Sequence, residues 1–147
     1  MIYIGSDHRG FKIKEKIKVL LDKKKLDYKD LGTNSDNAPS DYPDYAQKVG
    51  QNISGASDRG ILVCYTGTGM CMAANKIKGI RASVVWNVFT AKRSREDNDT
   101  NVLCLPAKYI TNKNLEKIID SWLETKFSTE ERHIRRLEKI NKIESSK

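Results

Sequence analysis

The chain has little of what would mark an extracellular, metal-stapled or membrane-bound protein. Its three cysteines are odd in number and show neither a Cys-x-x-Cys pair nor a Cys/His ligand spacing. That excludes a disulfide framework and a structural zinc site, and it fits a reduced, cytoplasmic setting. No apolar run approaches the ~18 residues of a membrane span. The opening "MIYIGSDHRG" meets its first charged side chain at Asp7 and does not read as a targeting segment. Histidine occurs only as His8 and His133, so a nucleophilic protease or acyltransferase has few imidazoles to draw on. No repeat, low-complexity tract or linker divides the 147 residues. A single domain over 1–147 is expected, large enough to bury roughly two thirds of its unfolded surface. The last dozen residues, ending "KIESSK", are expected to fray.

What is present in excess is positive charge, +8 in sum. In "FKIKEKIKVLLDKKK" and "NKNLEKIIDSWLETK" the lysines alternate with acids on the polar sides of helical patterns, which describes a solvated surface. No basic or aromatic recognition stripe appears, so nucleic acid is excluded as a partner, as is a membrane. The exception is "ERHIRRLEKINKI", where Arg132, His133, Arg135 and Arg136 gather near the start of a last helix. An anion as small as one phosphate group suits them, because a guanidinium binds it through a two-pronged fork.

Short apolar runs alternate with helical patterns: "IYIG" then 10–25, "LDYKDLG" then 42–53, "GILVCYTG" then 69–76, "GIRASVVW" then 88–97, "NVLCLP" then 112–126, and a final amphipathic stretch near 130–145. This predicts an α/β fold, a single doubly wound, mostly parallel five-stranded sheet with flanking helices and a C-terminal helix. Ligands of such sheets bind outside the carboxyl ends of the strands. Residues able to do chemistry collect there: Asp7 and His8 after the first strand, Asp41 and Tyr42 after the second, "CYTGTG" after the third, and "WN" at 86–87 after the fourth.

In "GILVCYTGTGMCMAANK" the turn Gly67-Thr68-Gly69 opens a helix, so successive backbone N–H groups form a cradle of positive partial charge. It is no dinucleotide fingerprint, since Met72 stands where a third glycine belongs, and no Lys-Ser/Thr follows to make a P-loop. Cys64 ends the strand that faces this turn, a place that favours a thiolate and its use as a base. Cys71 and Cys104 read as small buried hydrophobes.

Together "GSDHRGFKIKEKI", "DLGT…DYPDYA", "GILVCYTGTGMCMAANKIKGIRA", "SREDNDTNVL" and "ERHIRRLEKI" resemble, in order and over nearly the whole chain, type B ribose-5-phosphate isomerase, whose relatives include galactose-6-phosphate isomerase subunits. The resemblance implies a metal-free aldose–ketose isomerase without cofactor, acting on a phosphorylated sugar in the pentose phosphate pathway through an enediolate. It makes Cys64 the base, since the glutamate some relatives carry on the turn is here Met70. Gly67, Thr68 and Gly69 would face the developing oxyanion. Asp7 and His8 match an Asp-His pair at sugar and phosphate, Tyr42 and Thr66 match residues that line the sugar and assist ring opening, and Asn98 matches a ligand-contacting asparagine. Arg132 and Arg136 match arginines that grip the phosphate from a neighbouring subunit, which implies a homodimer or a dimer of dimers. From the residues alone, Asp7 reads equally as a helix cap, Tyr42 as packing at a helix start and Asn98 as a C-cap.

Three positions depart from the family pattern. Tyr65 replaces a glycine beside the thiol, Lys108 replaces a phosphate-binding arginine, and Asp97 replaces the histidine that opens the furanose ring. As an acid Asp97 is expected to be poor, leaving ring opening to Thr66, a water or slow spontaneous opening in solution. These departures keep open an isomerase for a phosphohexose and a catalytically weak phosphosugar-binding protein.

Overall fold

The apolar runs are continuous rather than alternating, which suits strands covered on both faces. A computed structural model describes residues 1–146 and forms them into β1 (Ile2–Ser6), β2 (Tyr28–Asp30), β3 (Arg59–Cys64), β4 (Ala82–Val84) and β5 (Val102–Pro106). All pairs are parallel, in the order β2-β1-β3-β5-β4. Within it, Ile61–Val63 of β3 and Val102–Leu105 of β5 are wholly buried. The expected five-stranded, doubly wound sheet is therefore present. From β1 the chain winds one way to β2, and from β3 it winds the other way to β5 and β4. The switch point falls between β1 and β3, where a crevice opens at the carboxyl ends of the strands.

Helices α1 (Phe11–Lys23), α4 (Val88–Asn98) and α5 (Asn112–Glu124) cover one face, and α2 (Tyr42–Asn52) and α3 (Thr68–Ala74) cover the other. In α5, Leu115, Ile118, Ile119 and Trp122 fall at helical spacing and are buried together, the stripe that makes this segment a helix against a sheet. Alternation along β3 sends Ile61 and Val63 to the α1/α5 layer and Leu62 and Cys64 to the α2/α3 layer. None of the described helices is long and apolar enough to cross a membrane.

Lys14 of α1 has no exposed surface, an outcome its lysine-rich neighbourhood did not announce. Its Nζ pairs with Asp30 Oδ2 at the end of β2 and lies 2.8 Å from Glu15 Oε1. Burial opposes ionisation of Asp30, yet hydrogen bonds from Lys14, the Gly32 N–H and Lys18 outweigh it and hold the carboxyl below its ordinary range. The last helix, α6 (Glu131–Ser145), is regular through the stretch expected to fray. Near its end Glu144 Oε1 accepts from the Gly79 N–H at 2.8 Å. Lys147 lies outside the described residues.

Candidate active site

At the end of β1, Asp7 is buried and its Oδ1 accepts from the Gly10 N–H at 2.9 Å, closing the turn into α1. The cap reading is thus half right: Asp7 fixes the turn, while Gly10 is the N-cap of α1. His8 is pinned by a two-way contact with the loop after β2. Its N–H donates to Ser40 Oγ at 3.0 Å, and its Nδ1 accepts from the Ser40 N–H at 3.1 Å. An accepting Nδ1 puts the proton of the neutral ring on Nε2, free to meet a ligand. Tyr42 begins α2, with Pro43 in the first turn, and its ring lies against Gly69. A Cβ at position 69 would approach Tyr42 Cζ to 2.6 Å, so this contact requires glycine.

Cys64 ends β3, 5% exposed, and its Sγ accepts from the Gly67 N–H at 3.2 Å. The sulfur can be met this way because Gly67 adopts φ 76°, a left-handed conformation that glycine takes without strain. Gly67 is also the N-cap of α3, whose first-turn N–H groups have no partner inside the helix. The Thr68 N–H reaches only Thr66 Oγ1, at 3.4 Å. Thr66 and Thr68, with Val84, Trp86, Pro106 and Tyr109, line a cleft of about 540 Å³. Met70 is fully buried in the core cluster that holds Cys64, so the thiol alone is presented at this turn. Of the other cysteines, Cys104 lies at the centre of the sheet, where burial pushes its thiol well above the ordinary value. Cys71 Sγ is spent on the Ala82 carbonyl at 3.3 Å.

The Lys108 N–H donates to the Tyr65 carbonyl at 3.0 Å, tying the loop after β5 to the residue after the thiol. Tyr65 keeps 40% of its surface exposed. Arg9, which sequence reasoning passed over, stands with its guanidinium carbon 4.7 Å from the Tyr65 ring centre, and Lys108 Nζ is 6.0 Å from the same point. The only signal for Arg9 was its place next to His8.

The remaining candidates lie elsewhere. A helix that follows a parallel strand carries the chain back to the amino end of the sheet. Asp97 and Asn98 therefore close α4 beside the start of β4 and β5, at the opposite end from Cys64. The position is locked by Arg95, whose guanidinium meets Asp99 Oδ1 at 2.7 Å and the Thr100 carbonyl at 2.6 Å, and by Arg81, which meets Asp99 Oδ2 at 2.8 Å. The C-cap is Asp99, in a left-handed conformation, rather than Asn98. Asp97 Oδ2 pairs with Arg93 at 2.9 Å. The segment into α6 docks here too, through the Ser128 N–H on the Glu96 carbonyl at 3.0 Å. It brings in buried His133 and, on one face of α6, the exposed Arg132 and Arg136. One chain thus carries two separate groups. The first comprises Asp7, His8, Tyr42, Cys64, Tyr65, Thr66, Gly67, Thr68, Gly69 and Lys108; the second comprises Asp97, Asn98, Arg132 and Arg136.

Residues 2–140 match the ribose/galactose isomerase family. The chain is 40% identical to ribose-5-phosphate isomerase B of Escherichia coli over 97% of this chain and 95% of that one. It superposes with a TM-score of 0.93 on ribose-5-phosphate isomerase B of Clostridium thermocellum, at 40% identity, covering 99% of this chain and 97% of the other. With the Mycoplasma genitalium ribose-5-phosphate isomerase B, whose structure contains bound ribulose 5-phosphate, the TM-score is 0.90 at 41% identity, over 99% and 97% of the two chains. Sequence and fold agree over almost the full length, and the chain belongs to the ribose/galactose isomerase family.

Proposed function

We propose that the protein interconverts ribose 5-phosphate and ribulose 5-phosphate, with Cys64 as the base. The observation that carries this reading is the Cys64 sulfur held at the β1/β3 switch point on the Gly67 N–H, at the mouth of α3. On the open-chain aldose the thiolate takes the proton from C2. The C2–H electrons form the C1–C2 double bond, and the carbonyl pair moves to O1. The first-turn N–H groups of α3 meet that developing oxyanion, and fixed donors of this kind lower the barrier by about 3–4 kcal/mol each. The thiol then returns the proton to C1 while a proton passes from the 2-hydroxyl to O1, which leaves the ketose. Asp7 offers its second carboxylate oxygen to a sugar hydroxyl, and His8 Nε2–H points its proton to the phosphate end.

Asp97, Asn98, Arg132 and Arg136 complete this site only from another copy of the chain, because their own chain holds them at the far end of the sheet. A homodimer, or a dimer of dimers, follows. Exposed apolar side chains such as Phe89 on α4 and Ile134 and Ile140 on α6 supply surface for it. Incubation with a panel of aldose and ketose phosphates in heavy water, followed by NMR, tests the reading. Ribose 5-phosphate should isomerise with deuterium entering at the transferred carbon, and a panel without isomerisation or exchange would falsify it. Tyr65 beside the thiol favours a second reading, a phosphohexose as preferred substrate, and the same panel separates the two.

A further inference from the structure

A second cavity lies at the amino end of the sheet, the end opposite Cys64. It measures about 400 Å³, a size that suits a small metabolite, and Arg59 at the start of β3 and Arg81 just before β4 both line it. Its walls are fixed by the chain itself. Asn101 Oδ1 accepts from the Arg81 N–H and its Nδ2 donates to the Gly79 carbonyl, both at 2.8 Å. Asp58 Oδ2 accepts from the Ser54 and Gly55 N–H groups at 3.2 and 2.8 Å, and its Oδ1 meets the N-terminal ammonium at 3.3 Å. Charge in this corner is unbalanced. Three guanidinium groups, Arg59, Arg81 and Arg95, share one carboxylate, Asp99, which takes Arg81 on Oδ2 at 2.8 Å and Arg95 on Oδ1 at 2.7 Å. Arg59 has no ion pair among the described residues. Its Nη1 donates to the Ala56 and Asp58 carbonyls at 3.0 and 2.8 Å, while its Nε and Nη2 have no partner there. Burial first, and then the neighbouring Arg95, pull the Arg59 guanidinium below its ordinary pKa; Asp99 opposes them and Arg81 adds to them. An anion beside Arg59 offsets this repulsion, which the chain leaves uncompensated.

We propose that this cavity is a second anion site, separate from the Cys64 cleft, that takes a small phosphate monoester between Arg59 and Arg81. The open Nε and Nη2 of Arg59 are the parallel pair of N–H groups that forks two phosphate oxygens. Arg81 spends Nε and Nη2 on Asp99 and adds single N–H groups from Nη1. Ile53 and Ala56, also in the lining, leave room for a short carbon body. Because Arg81 grips Asp99, the residue directly after Asn98, an occupant ties the loop before β3 to the end of α4, the turn that carries Asp97 and Asn98. The site needs nothing from the chemistry at Cys64.

The test is an amide NMR titration of the full-length protein with inorganic phosphate, at mildly alkaline pH where phosphate is a dianion and at an ionic strength held constant with sodium chloride. In the parent, the amides of Ala56, Arg59, Arg81 and Asn101 should shift saturably. Arg59→Met, which keeps the stem and removes the charge, should raise the phosphate Kd read from these amides by at least about tenfold, the loss expected of a charged two-pronged contact. Arg59→Lys, which keeps the charge and loses the fork, should fall between. The amides of Gly67, Thr68 and Gly69 should respond alike in all three proteins, and KM and kcat on ribose 5-phosphate should stay within about twofold. Absence of a saturable shift in the parent overturns the proposal, as does an Arg59→Met Kd equal to the parent's. Acetate binding the same amides as tightly as phosphate also overturns it, because the site then reads positive charge alone. A KM that rises in step with the phosphate Kd overturns it too, by making the cavity part of the substrate site. If Arg59→Met fails to fold, the parent and Arg59→Lys titrations decide. A parent that turns over no ribose 5-phosphate removes the isomerase reading and leaves the titration to decide this site by itself.

Discussion

Asp97 Oδ1 faces His133 Nε2 across 3.8 Å, buried and without a hydrogen bond, while Asp97 Oδ2 is held by Arg93 at 2.9 Å. His133 in turn is gripped on its other side, Nδ1 lying 2.6 Å from Ser128 Oγ. Asp97, which the resemblance sets where a histidine is expected, is therefore an arginine-paired carboxylate with an imidazole next to it on another helix. Near neutrality an ordinary carboxyl side chain has no proton to give to a ring oxygen, whereas an imidazole does. Turnover of the cyclic aldose phosphate should accordingly be limited by ring opening. Proton exchange on ribulose 5-phosphate, which closes to no furanose, should be fast. Asp97→His should leave the aldose rate equal or higher in a coupled assay. A loss of ~100-fold in folded Asp97→Asn would show instead that the carboxylate itself is an acid–base group.

Replacing Cys64 separates chemistry from binding. Cys64→Ala should lower kcat by ~10²–10⁴-fold, the usual worth of a positioned acid–base group. Phosphosugar affinity measured by calorimetry should change little, since the thiol acts on the transition state. Undiminished turnover would remove Cys64 from the mechanism.

Arg132 and Arg136 share a face of α6 far from their own chain's Cys64, and their work is testable by mixing. Each alanine variant should raise KM more than it lowers kcat, as expected of groups that anchor a non-reacting phosphate. Co-refolding Cys64→Ala chains with Arg136→Ala chains should restore one intact site per heterodimer. Proven heterodimers without recovered activity would rule out arginines acting across an interface.

The Lys14–Asp30 pair gives a stability prediction with a defined sign. Because Asp30 titrates below its unfolded value, the pair contributes in full above the ordinary carboxyl range and is lost as pH falls through the folded-state value. Asp30→Asn should cost about 3 kcal/mol at pH 7 in urea unfolding, at the low end for a broken buried pair because Glu15 remains beside Lys14. The gap between variant and parent should narrow as pH is lowered towards 3. Replacing both partners, Lys14→Met with Asp30→Leu, should cost less than Asp30→Asn alone, since no charge is left stranded.

Much of the fold, and the grouping of candidate residues around Cys64, was legible in the linear chain because the determinants are local. Continuous apolar runs mark strands covered on both faces, a strand that ends in Cys64 before Gly67-Thr68-Gly69 puts a thiol against a helix start, and parallel winding sends ligands to strand ends. The same winding rule already places Asp97 at the other end of the sheet from Cys64, because α4 must return the chain before β5 can begin, although adjacency in a family motif draws the eye to one shared site. Only the tertiary structure decided the rest. Lys14 looked like one more solvated lysine until the β2 end brought Asp30 to it. Arg9 was one charge among many until the β1 turn and the residue after β3 met face to face, and Asp97 acquired an imidazole neighbour because the chain after α5 folds back onto α4. Each of these is a pairing between segments distant in sequence, set by how layers pack on the sheet, and no periodicity or local propensity encodes which side chains such packing brings together.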